Sequence, residues 1–537
     1  MGEKNTFLRM IIALTLSILI LIVFEHFFFK PSPPLQKKEE PSQPLLPSKE
    51  KEDLPQQFGE IVIETPLYRM VLSEYGGRLK SLTLKRYYDK VELHPLSKAI
   101  QGFIAKILGK ELDFSPPKPV ELVSTQKLNE LPLGLLLEHG FPYNEKIPWR
   151  FSKAFLEIKE KPEELKMTWE GEGLFIERTL KFYPNSYVIE TEINLNQETP
   201  LYLSWIGKTD LKGSYYGFFG PLLIGPEGRL KIKPKKIGSE PLTFQDLNLF
   251  AFDQDYFASI IKAEEKGKIL LGRMNEAVIY GLFGGEKAQR HHFQIYLGPK
   301  DEKELEKLSP LAKKVIDYGT FGLIAIPILK FIQLTHRLTG NWGLDIILLA
   351  LLIKLIFLWP TQKSYEAMKE MQKIAPELKM LQKKYGHDKE RLQREIMELY
   401  RRRRINPLSG CLPLLLQLPV FFALYRALLV SINLRHAPFV LWIRDLSSKD
   451  PTYISPILMG LSMILQQKLT PQQGDPAQQK MMLFMPIVFT LLFLNFPSGL
   501  VLYWLASNVF GIIHQLYVLR RGKKCGSSRK RVRIRKN

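Results

Sequence analysis

A lysine, Lys354, lies within an 18-residue run from Trp342 to Trp359 that is almost entirely apolar. Eighteen residues of α-helix rise about 27 Å, close to the hydrocarbon thickness of a bilayer, so the run predicts a membrane-spanning helix. A lysine at the centre of such a helix costs at least about 2.5 kcal/mol, and it therefore normally faces a bundle interior or a water-filled cavity. The alternative is that its long side chain snorkels to the cytoplasmic interface near Trp359, about 7.5 Å along the helix axis. Lys354 thus requires either a wet site within the membrane or a place close to its edge.

The apolar residues of the 537-residue chain are unevenly distributed. They concentrate at Met10–Phe29 and again after Tyr318, and the stretch between has the mixed composition of a water-soluble domain. The net charge of +22 is concentrated too, in Lys363–Arg404 and in the tail Arg520–Lys536. Because basic segments beside spans mark the cytoplasmic side, these charges indicate topology before they indicate a nucleic-acid partner.

The N-terminal two-thirds of the chain predicts four successive regions. Residues 1–30 are predicted to be an uncleaved signal-anchor span with a cytoplasmic N-terminus, and residues 31–55, rich in Pro, Lys, Glu, Ser and Gln, a flexible linker. Residues 56–300 contain short runs of alternating apolar and polar residues, which predict an extracytoplasmic all-β sandwich domain. Residues 301–338 predict an amphipathic helix region lying in the membrane interface. A span in this last region would turn the basic segment after Lys363 to the outside, against the positive-inside rule.

The predicted strands of the β domain are bounded by turn residues such as Gly76–Gly77, Pro184–Asn185 and Gly284–Gly285. They are Ile61–Ile63, Arg69–Leu72, Leu79–Leu84, Phe175–Phe182, Tyr187–Leu195, Leu201–Ile206, Ile269–Arg273, Val278–Phe283 and Phe293–Leu297.

Residues 339–519 predict a bundle of five spans, the first carrying Lys354. The other four are Cys411–Leu434, Ile454–Gln467, Met481–Phe496 and Leu500–Leu519. With the signal anchor these make six spans, so both chain termini, including the basic tail 520–537, are expected to be cytoplasmic. Residues 361–407 predict a cytoplasmic helical hairpin that turns at Gly386–Asp388; a solvated connector is the alternative.

Two groups of basic residues indicate contact with an anionic partner. They are Arg401, Arg402, Arg403 and Arg404 at the end of the hairpin, and Arg520, Arg521, Lys523 and Lys524 in the tail. Ribosomal RNA and anionic lipid attract such side chains alike, so both partners stay open. The two cysteines, Cys411 and Cys525, give neither a disulfide framework nor a metal-ligand spacing, and no cofactor, metal or catalytic residue is predicted.

Several motifs of the predicted bundle resemble a known family in the same order. They are Asn406–Leu408, Leu412–Tyr425, Ala437–Phe439 with Leu441–Leu446, Asp450–Pro451 and Phe496–Trp504. The family is that of the YidC, Oxa and Alb membrane protein insertases, and the resemblance is strong over Asn341–Val518 and weaker before it. It implies the bacterial branch: a five-helix insertase core in the inner membrane with a large periplasmic domain.

The resemblance also implies a function. Members help newly made integral membrane proteins to insert and fold, alone or with the Sec translocon, so nascent membrane proteins, Sec components, the ribosome and anionic lipids are the expected partners. In the family a positive residue of the second span faces a hydrophilic groove, open to cytoplasm and lipid and closed toward the outside. Lys354 occupies that position, where the family usually has Arg, which is planar and has five donors.

Further residues are expected to complete this groove. Gln417, Gln466, Ser507 and Asn508 are expected to supply hydrogen bonds and hold water. A greasy slide for client helices is expected from Phe421, Phe422, Tyr425, Met459, Met463, Tyr503 and Trp504. For each of these seven residues ordinary helix packing is an equal alternative, and Gln417 could serve as interhelical glue.

Two other classes of function are alternatives to an insertase. A transporter with Lys354 as an ion or proton relay would fit a lone intramembrane charge, but the spans are expected to lack partner carboxylates and no inverted repeat is found. An enzyme in the β domain is disfavoured, because His291–His292 and the scattered acidic residues show no catalytic spacing. The chain is therefore expected not to be an enzyme.

Overall fold

The computed structural model describes residues 58–109, 114–137, 147–171, 173–209, 218–226, 228–238, 240–403, 412–469 and 476–534. The predicted signal anchor, the linker and Arg404 lie outside these ranges, as do the side chains from position 518 onward. The chain divides into two compact units, the first within residues 1–90 and 117–320 and the second within 91–116 and 321–537.

The first unit is built from β-strands. Its described strands are β1 (Glu60–Glu64), β2 (Tyr68–Ser73), β3 (Leu79–Tyr88), β4 (Pro119–Glu121), β5 (Leu135–Leu137), β6 (Arg150–Phe151), β7 (Phe155–Glu157), β8 (Glu163–Gly171), β9 (Leu174–Phe182), β10 (Val188–Lys208), β11 (Phe219–Gly225), β12 (Gly228–Lys231), β13 (Leu242–Leu247), β14 (Leu249–Gln254), β15 (Phe257–Ala263), β16 (Gly267–Arg273) and β17 (Val278–Pro299).

These strands form two sheets. The smaller has the order β4-β3-β2-β1-β7, in which β1 runs parallel to β7 and antiparallel to β2. The larger is organised around the long antiparallel pair β10 and β17, which extends from Val188 opposite Tyr296 to Lys208 opposite Val278. Alternating residues of β9 are buried, as the period-two pattern predicts for a sheet with one face in a core.

The described α-helices lie mainly in the second unit, and among them Glu302–Leu308 alone belongs to the first. The described helices are α1 (Pro95–Leu108), α2 (Glu302–Leu308), α3 (Gly322–Thr339), α4 (Trp342–Ile356), α5 (Leu358–Lys373), α6 (Ala375–Tyr385), α7 (Lys389–Arg402), α8 (Leu412–Val430), α9 (Ile454–Leu469), α10 (Pro476–Phe493) and α11 (Ser498–Ile534). The prediction of a β-rich domain joined to a helical core is thus confirmed. One departure is α1, which interrupts the range 56–300 where only strands were predicted.

The helix that carries Lys354 is shorter than the predicted span. It begins after Asn341, whose side chain accepts hydrogen bonds from the backbone N–H groups of Gly343 and Leu344. It ends at Ile356, and α5 continues at an angle of 61°. The predicted span to Trp359 therefore crosses a bend, and Lys354 lies in the last turn of α4.

Length and composition identify the membrane-spanning candidates among the described helices. Pro413–Val430 of α8 and Ser498–Tyr517 of α11 can each cross a bilayer, and the bent pair α4 and α5 would make a third crossing. Leu483–Phe493 of α10 is a shorter apolar stretch, and α3 is not among the candidates. The six-span count and the interfacial position of α3 stay predictions.

Helices α6 and α7 are consecutive in the chain and form a helical hairpin, which is joined at residues 386–388. The side chain of Asp388 caps α7 by accepting from the backbone N–H of Arg391. An apolar cluster joins the end of α5 and the start of α6 to α7. Its members are Met371, Ile374, Leu378, Ile396, Leu399 and Tyr400. A break at Ile374 divides what the sequence predicts as one first helix into α5 and α6.

Candidate functional site

Lys354 is half-buried and faces α9 and α11. A Cβ atom placed on Gly511 of α11 would lie 3.1 Å from Lys354 Nζ and 2.6 Å from Gln466 Nε2, so the missing side chain of this glycine leaves room for both polar groups. Gln466 also hydrogen-bonds Tyr365 of α5. The Tyr365 ring in turn lies 5.8 Å from the ring of His514. Among the described residues no carboxylate lies within ion-pair distance of the Lys354 ammonium.

The other predicted polar residues also meet on α11. Gln417 Nε2 on α8 donates to Ser507 Oγ at 2.8 Å, and Asn508 Nδ2 donates to Ser462 Oγ on α9 at 2.9 Å. Both α11 residues are buried. Positions 507, 511 and 514 follow helical spacing, which places them on one side of α11. We call this set the polar row; its members are Lys354, Tyr365, Gln417, Ser462, Gln466, Ser507, Asn508 and His514.

Sequence reasoning selected five of the eight members of the polar row. It did not select Ser462, Tyr365 or His514 as site residues. Each of these becomes informative only through a neighbour on another helix, so helical periodicity alone gives no signal for them. Gly511 was missed as well, because the absence of a side chain has no chemical signature in a sequence.

The seven predicted slide residues divide by burial. Phe421, Met459, Tyr503 and Trp504 are buried, and the Phe421 ring lies 5.4 Å from that of Trp504 and 5.6 Å from that of Phe493. The partly exposed members are Phe422, Tyr425 and Met463. In this conformation the first four lie in contacts between helices, and the other three are partly accessible; their role toward a client stays a prediction.

An acidic residue, Asp345, lies at the other end of α4. Its carboxylate is fully buried; Oδ1 accepts from Thr339 Oγ1 at 2.7 Å and Oδ2 lies 2.9 Å from His336 Nδ1. The predicted span of Lys354 thus contains a carboxylate, but one whose partners are His336 and Thr339. Asp345 precedes Lys354 by nine residues, about 13.5 Å of helix, and is bound to residues at the end of α3 rather than to the ammonium. This arrangement does not provide the adjacent partner that a relay through Lys354 would need.

The end of the bundle opposite Lys354 is apolar and tightly packed. A Cβ on Gly499 would lie 3.0 Å from the carbonyl oxygen of Leu446, 3.1 Å from Leu428 Cδ2 and 3.2 Å from Ile346 Cδ1. Those three side chains are fully buried. Along α11 the surroundings thus change from dry apolar contacts near Gly499 to the polar row.

The basic residues of the hairpin are partly engaged within the hairpin itself. Arg402 pairs with Glu398 at 2.5 Å, and Arg403 pairs with Glu377 at 2.5 Å. Arg401 is exposed. For the tail residues Arg520, Arg521, Lys523 and Lys524 the structure gives only the helical backbone of α11.

The β domain places His291 among backbone groups. Its Nε2 lies 3.0 Å from the carbonyl oxygens of both Thr199 and Ala288, and burial lowers the pKa of the imidazole. Within the described ranges no three His, Cys, Asp or Glu side chains are grouped so that they could hold a metal ion. His291 is accordingly a structural residue of the β10 and β17 pair.

Comparisons with known proteins agree with this architecture. Residues 334–525 match the family described as 60Kd inner membrane protein, and residues 110–331 match the YidC periplasmic domain. The membrane protein insertase YidC of Syntrophus aciditrophicus (strain SB) is 34% identical over 95% of this chain and 99% of its own. That of Geobacter sulfurreducens is 36% identical over 85% of each chain. A solved structure of an active YidC insertase is 17% identical, covers 94% of this chain and 98% of its own, and gives a TM-score of 0.39.

The fold and the matches define an inner-membrane protein with a helical core and a periplasmic β-rich domain. Within that class, the chain belongs to the YidC family of membrane protein insertases.

Proposed function

We propose that this insertase receives the polar segments of its clients in a hydrophilic groove formed by the polar row. The observation that carries the proposal is the half-buried Lys354 ammonium, which has Gln466 beside it and no carboxylate within ion-pair distance among the described residues. Within the described part of the chain its charge therefore has no acidic partner. A client carboxylate at 4 Å would gain about 4 kcal/mol at an effective dielectric of 20, which is enough to attract a tail and weak enough to release it.

The polar row would lower the cost of moving a client tail into the membrane. Each backbone polar group left unsatisfied in hydrocarbon costs several kcal/mol. Gln417, Ser507, Asn508 and Ser462 already bond to one another in pairs, and amides and hydroxyls of this kind can exchange those bonds for bonds to water or to a client. An apolar client helix would then leave sideways along Phe422, Tyr425 and Met463.

Nascent membrane proteins are the proposed clients, with the Sec translocon as a partner. The exposed Arg401 and the basic tail after Leu519 are proposed to contact ribosomal RNA or anionic lipid. Binding of the full chain, and of a chain shortened by residues 520–537, to ribosomes in detergent separates the two. Loss of binding on shortening supports the ribosome, and unchanged binding assigns the tail to lipid.

The decisive experiment compares two substitutions at Lys354 in proteoliposomes. The client is a single-span protein with either an acidic or a neutral translocated tail. Lys354→Ala is expected to reduce insertion of the acidic-tailed client about tenfold, equivalent to about 1.4 kcal/mol, with a smaller effect on the neutral one. Lys354→Arg is expected to retain activity, since it keeps the charge.

Lys330→Ala, which removes an exposed lysine of α3, is the matched control and is expected to insert both clients normally. Equal insertion of both clients by Lys354→Ala, at normal protein level, would contradict the electrostatic part of the proposal. Client-independent ion flux that is lost in Lys354→Ala would instead support the transporter alternative.

A further inference from the structure

The segment that joins α8 to α9, residues 431–453, has an unusual backbone. His436, Leu441 and Tyr453 adopt φ values of 58°, 54° and 58°, in the left-handed region that side chains disfavour. Such residues persist only where the surrounding structure holds them firmly. We call this segment the outer cap, because it covers the end of the bundle opposite Lys354.

A single carboxylate, that of Asp450, holds the cap to the start of α9. Its Oδ1 accepts from the backbone N–H and the hydroxyl of Thr452, at 2.8 and 2.7 Å. Its Oδ2 accepts from the backbone N–H and the hydroxyl of Ser455, at 2.8 and 2.5 Å, and from Trp442 Nε1 at 3.3 Å. The side chain is 1% exposed. All donors on this carboxylate therefore come from the cap and from the first turn of α9.

A second aspartate, Asp445, folds the cap onto itself through its carboxylate and joins it to α11 through its backbone carbonyl. Its Oδ1 accepts from the backbone N–H of His436 at 3.1 Å and from that of Ser447 at 2.8 Å. Its backbone carbonyl accepts from Ser498 Oγ at 2.6 Å. The cap is thus joined to the first residue of α11 as well as to α9.

Two backbone hydrogen bonds also join the cap to the start of α11. The N–H of Ser498 donates to the carbonyl of Ser448 at 2.7 Å, and that of Gly499 donates to the carbonyl of Leu446 at 2.9 Å. These bonds draw Leu446 into the point where Ile346 and Leu428 meet Gly499. The dry end of the bundle is therefore closed by the cap, and the cap is shaped by two aspartates.

We propose that Asp450 and Asp445 are the positioning residues that keep the outer end of the bundle shut, so that the polar row is open only toward the cytoplasm and the lipid. The inference rests on the proposed function, because a seal matters only if the polar row holds water. Burial alone would raise the pKa of the Asp450 carboxyl, but the hydrogen bonds from Ser455 and Thr452 outweigh it and hold the pKa below its ordinary value. The ionised form, which accepts all five bonds, is thus the one the cap retains.

Passive ion leak through proteoliposomes tests the seal. In Asp450→Asn an amide NH₂ would replace one carboxylate oxygen and would face either the two donors of Thr452 or the three donors of Ser455 and Trp442, so the cap should loosen and leak should rise at least tenfold. Lys449→Ala is the matched control: its side chain is exposed, only its backbone pairs with Pro497, and its leak should equal that of the unaltered chain. Leak from Asp450→Asn equal to that of the control would overturn the proposal.

A cross-link keeps the proposal testable if Asp450→Asn fails to fold. Residues 449 and 497 are antiparallel bridge partners, a spacing within reach of a disulfide. Lys449→Cys with Pro497→Cys, in a Cys411→Ser and Cys525→Ser background, would lock the cap on α11. The oxidised protein is expected to insert clients at the rate of the reduced one. Insertion that stops on oxidation and returns on reduction would show that the cap must open, and would overturn the inference.

Failure of the seal and failure of the proposed function give different results. If the polar row is not the client site, Lys354→Ala inserts acidic-tailed clients normally, whatever the leak of Asp450→Asn. If only the inference about the cap is wrong, Lys354→Ala still loses insertion of acidic-tailed clients, while the ion leak of Asp450→Asn stays at the level of the unaltered chain.

Discussion

His336 Nδ1 lies 2.9 Å from Asp345 Oδ2, and this contact joins α3 to the helix that carries Lys354. The His336 ring also stacks on Trp342, with ring centroids 3.6 Å apart. Both carboxylate oxygens of Asp345 are satisfied, the second by Thr339. A buried carboxylate is tolerated because its oxygens are paired, so the three residues fix where α4 begins.

The Asp345→Asn variant tests this joint. Its amide can satisfy only part of the carboxylate's contacts, and leaving buried polar groups unpaired costs about 1–3 kcal/mol. We expect a lower unfolding temperature in detergent. Combined with His336→Gln, the two losses should be less than additive, because each variant already breaks the same bond. Strict additivity would mean that the two side chains do not interact.

The Gly511→Ala variant separates function from stability. The new methyl would displace the Gln466 amide from Lys354, while alanine itself favours helix by about 1 kcal/mol over glycine. We expect insertion of an acidic-tailed client to fall severalfold with little change in unfolding temperature. Gly102→Ala is the control, since a Cβ there meets nothing within 4 Å. Unchanged insertion by Gly511→Ala would remove Gln466 from the client site.

The hairpin has its own apolar core, which a pair of substitutions on α6 can probe. Leu378→Ala removes a side chain that is 5% exposed and should cost about 2–5 kcal/mol. Met380→Ala, two residues further on and 62% exposed, is the matched control. We expect limited proteolysis to cleave residues 375–402 faster in Leu378→Ala alone. Equal cleavage of both variants would favour a solvated connector over a packed hairpin.

The β domain should lose stability in mild acid through His291. Burial lowers its pKa in the folded chain, whereas the unfolded chain takes up a proton near pH 6.5. The stabilisation is therefore full above about pH 6.5 and is lost as the pH falls through the folded pKa. His291→Gln should flatten this dependence. Hydrogen exchange of β10 and β17 at pH 7.5 and pH 5 measures it, and an equal pH dependence in both proteins would contradict it.

Several of the strands that the sequence predicts show an alternating pattern. β1, β2, β3 and β9 bury one face, so a period of two is visible in their residues. β14 is not predicted, because all six of its residues are buried, the polar Asp253 and Gln254 among them, and its sequence therefore shows no alternation. Burial on both faces does not hide every strand, since Leu201–Ile206 and Val278–Phe283 are predicted although all of their residues are buried. Their apolar and aromatic residues, rather than a period of two, indicate a strand there.

Gly284–Gly285 shows how a turn signal can mislead. The pair was interpreted as the end of one strand, but it lies inside β17. There φ is 141° and 91°, and a Cβ on Gly284 would lie against the carbonyl oxygen of Leu201. The glycines permit a close approach and a register shift against β10 rather than a reversal of the chain.

For the candidate site, the sequence predicts the chemistry of single side chains. A lysine in an apolar run and amides in neighbouring spans are visible in the residues themselves. The pairing of Asp345 with His336, and the space that Gly511 leaves for Gln466, depend on how separate helices meet. Such contacts have no local pattern, so only the folded chain reveals them.

Two interruptions, at Phe357 and Ile374, separate the helix of Lys354 from the hairpin. Between them α5 is anchored to the core, with Thr361, Ser364 and Tyr365 buried. If a bound particle pulled or tilted the hairpin, the angles at Phe357 and Ile374 would thus change before α4 itself moved. Because both breaks follow Lys354 in the chain, a movement of the hairpin is expected to change the angles at residues 357 and 374 and to leave the position of the ammonium within its helix bundle unchanged.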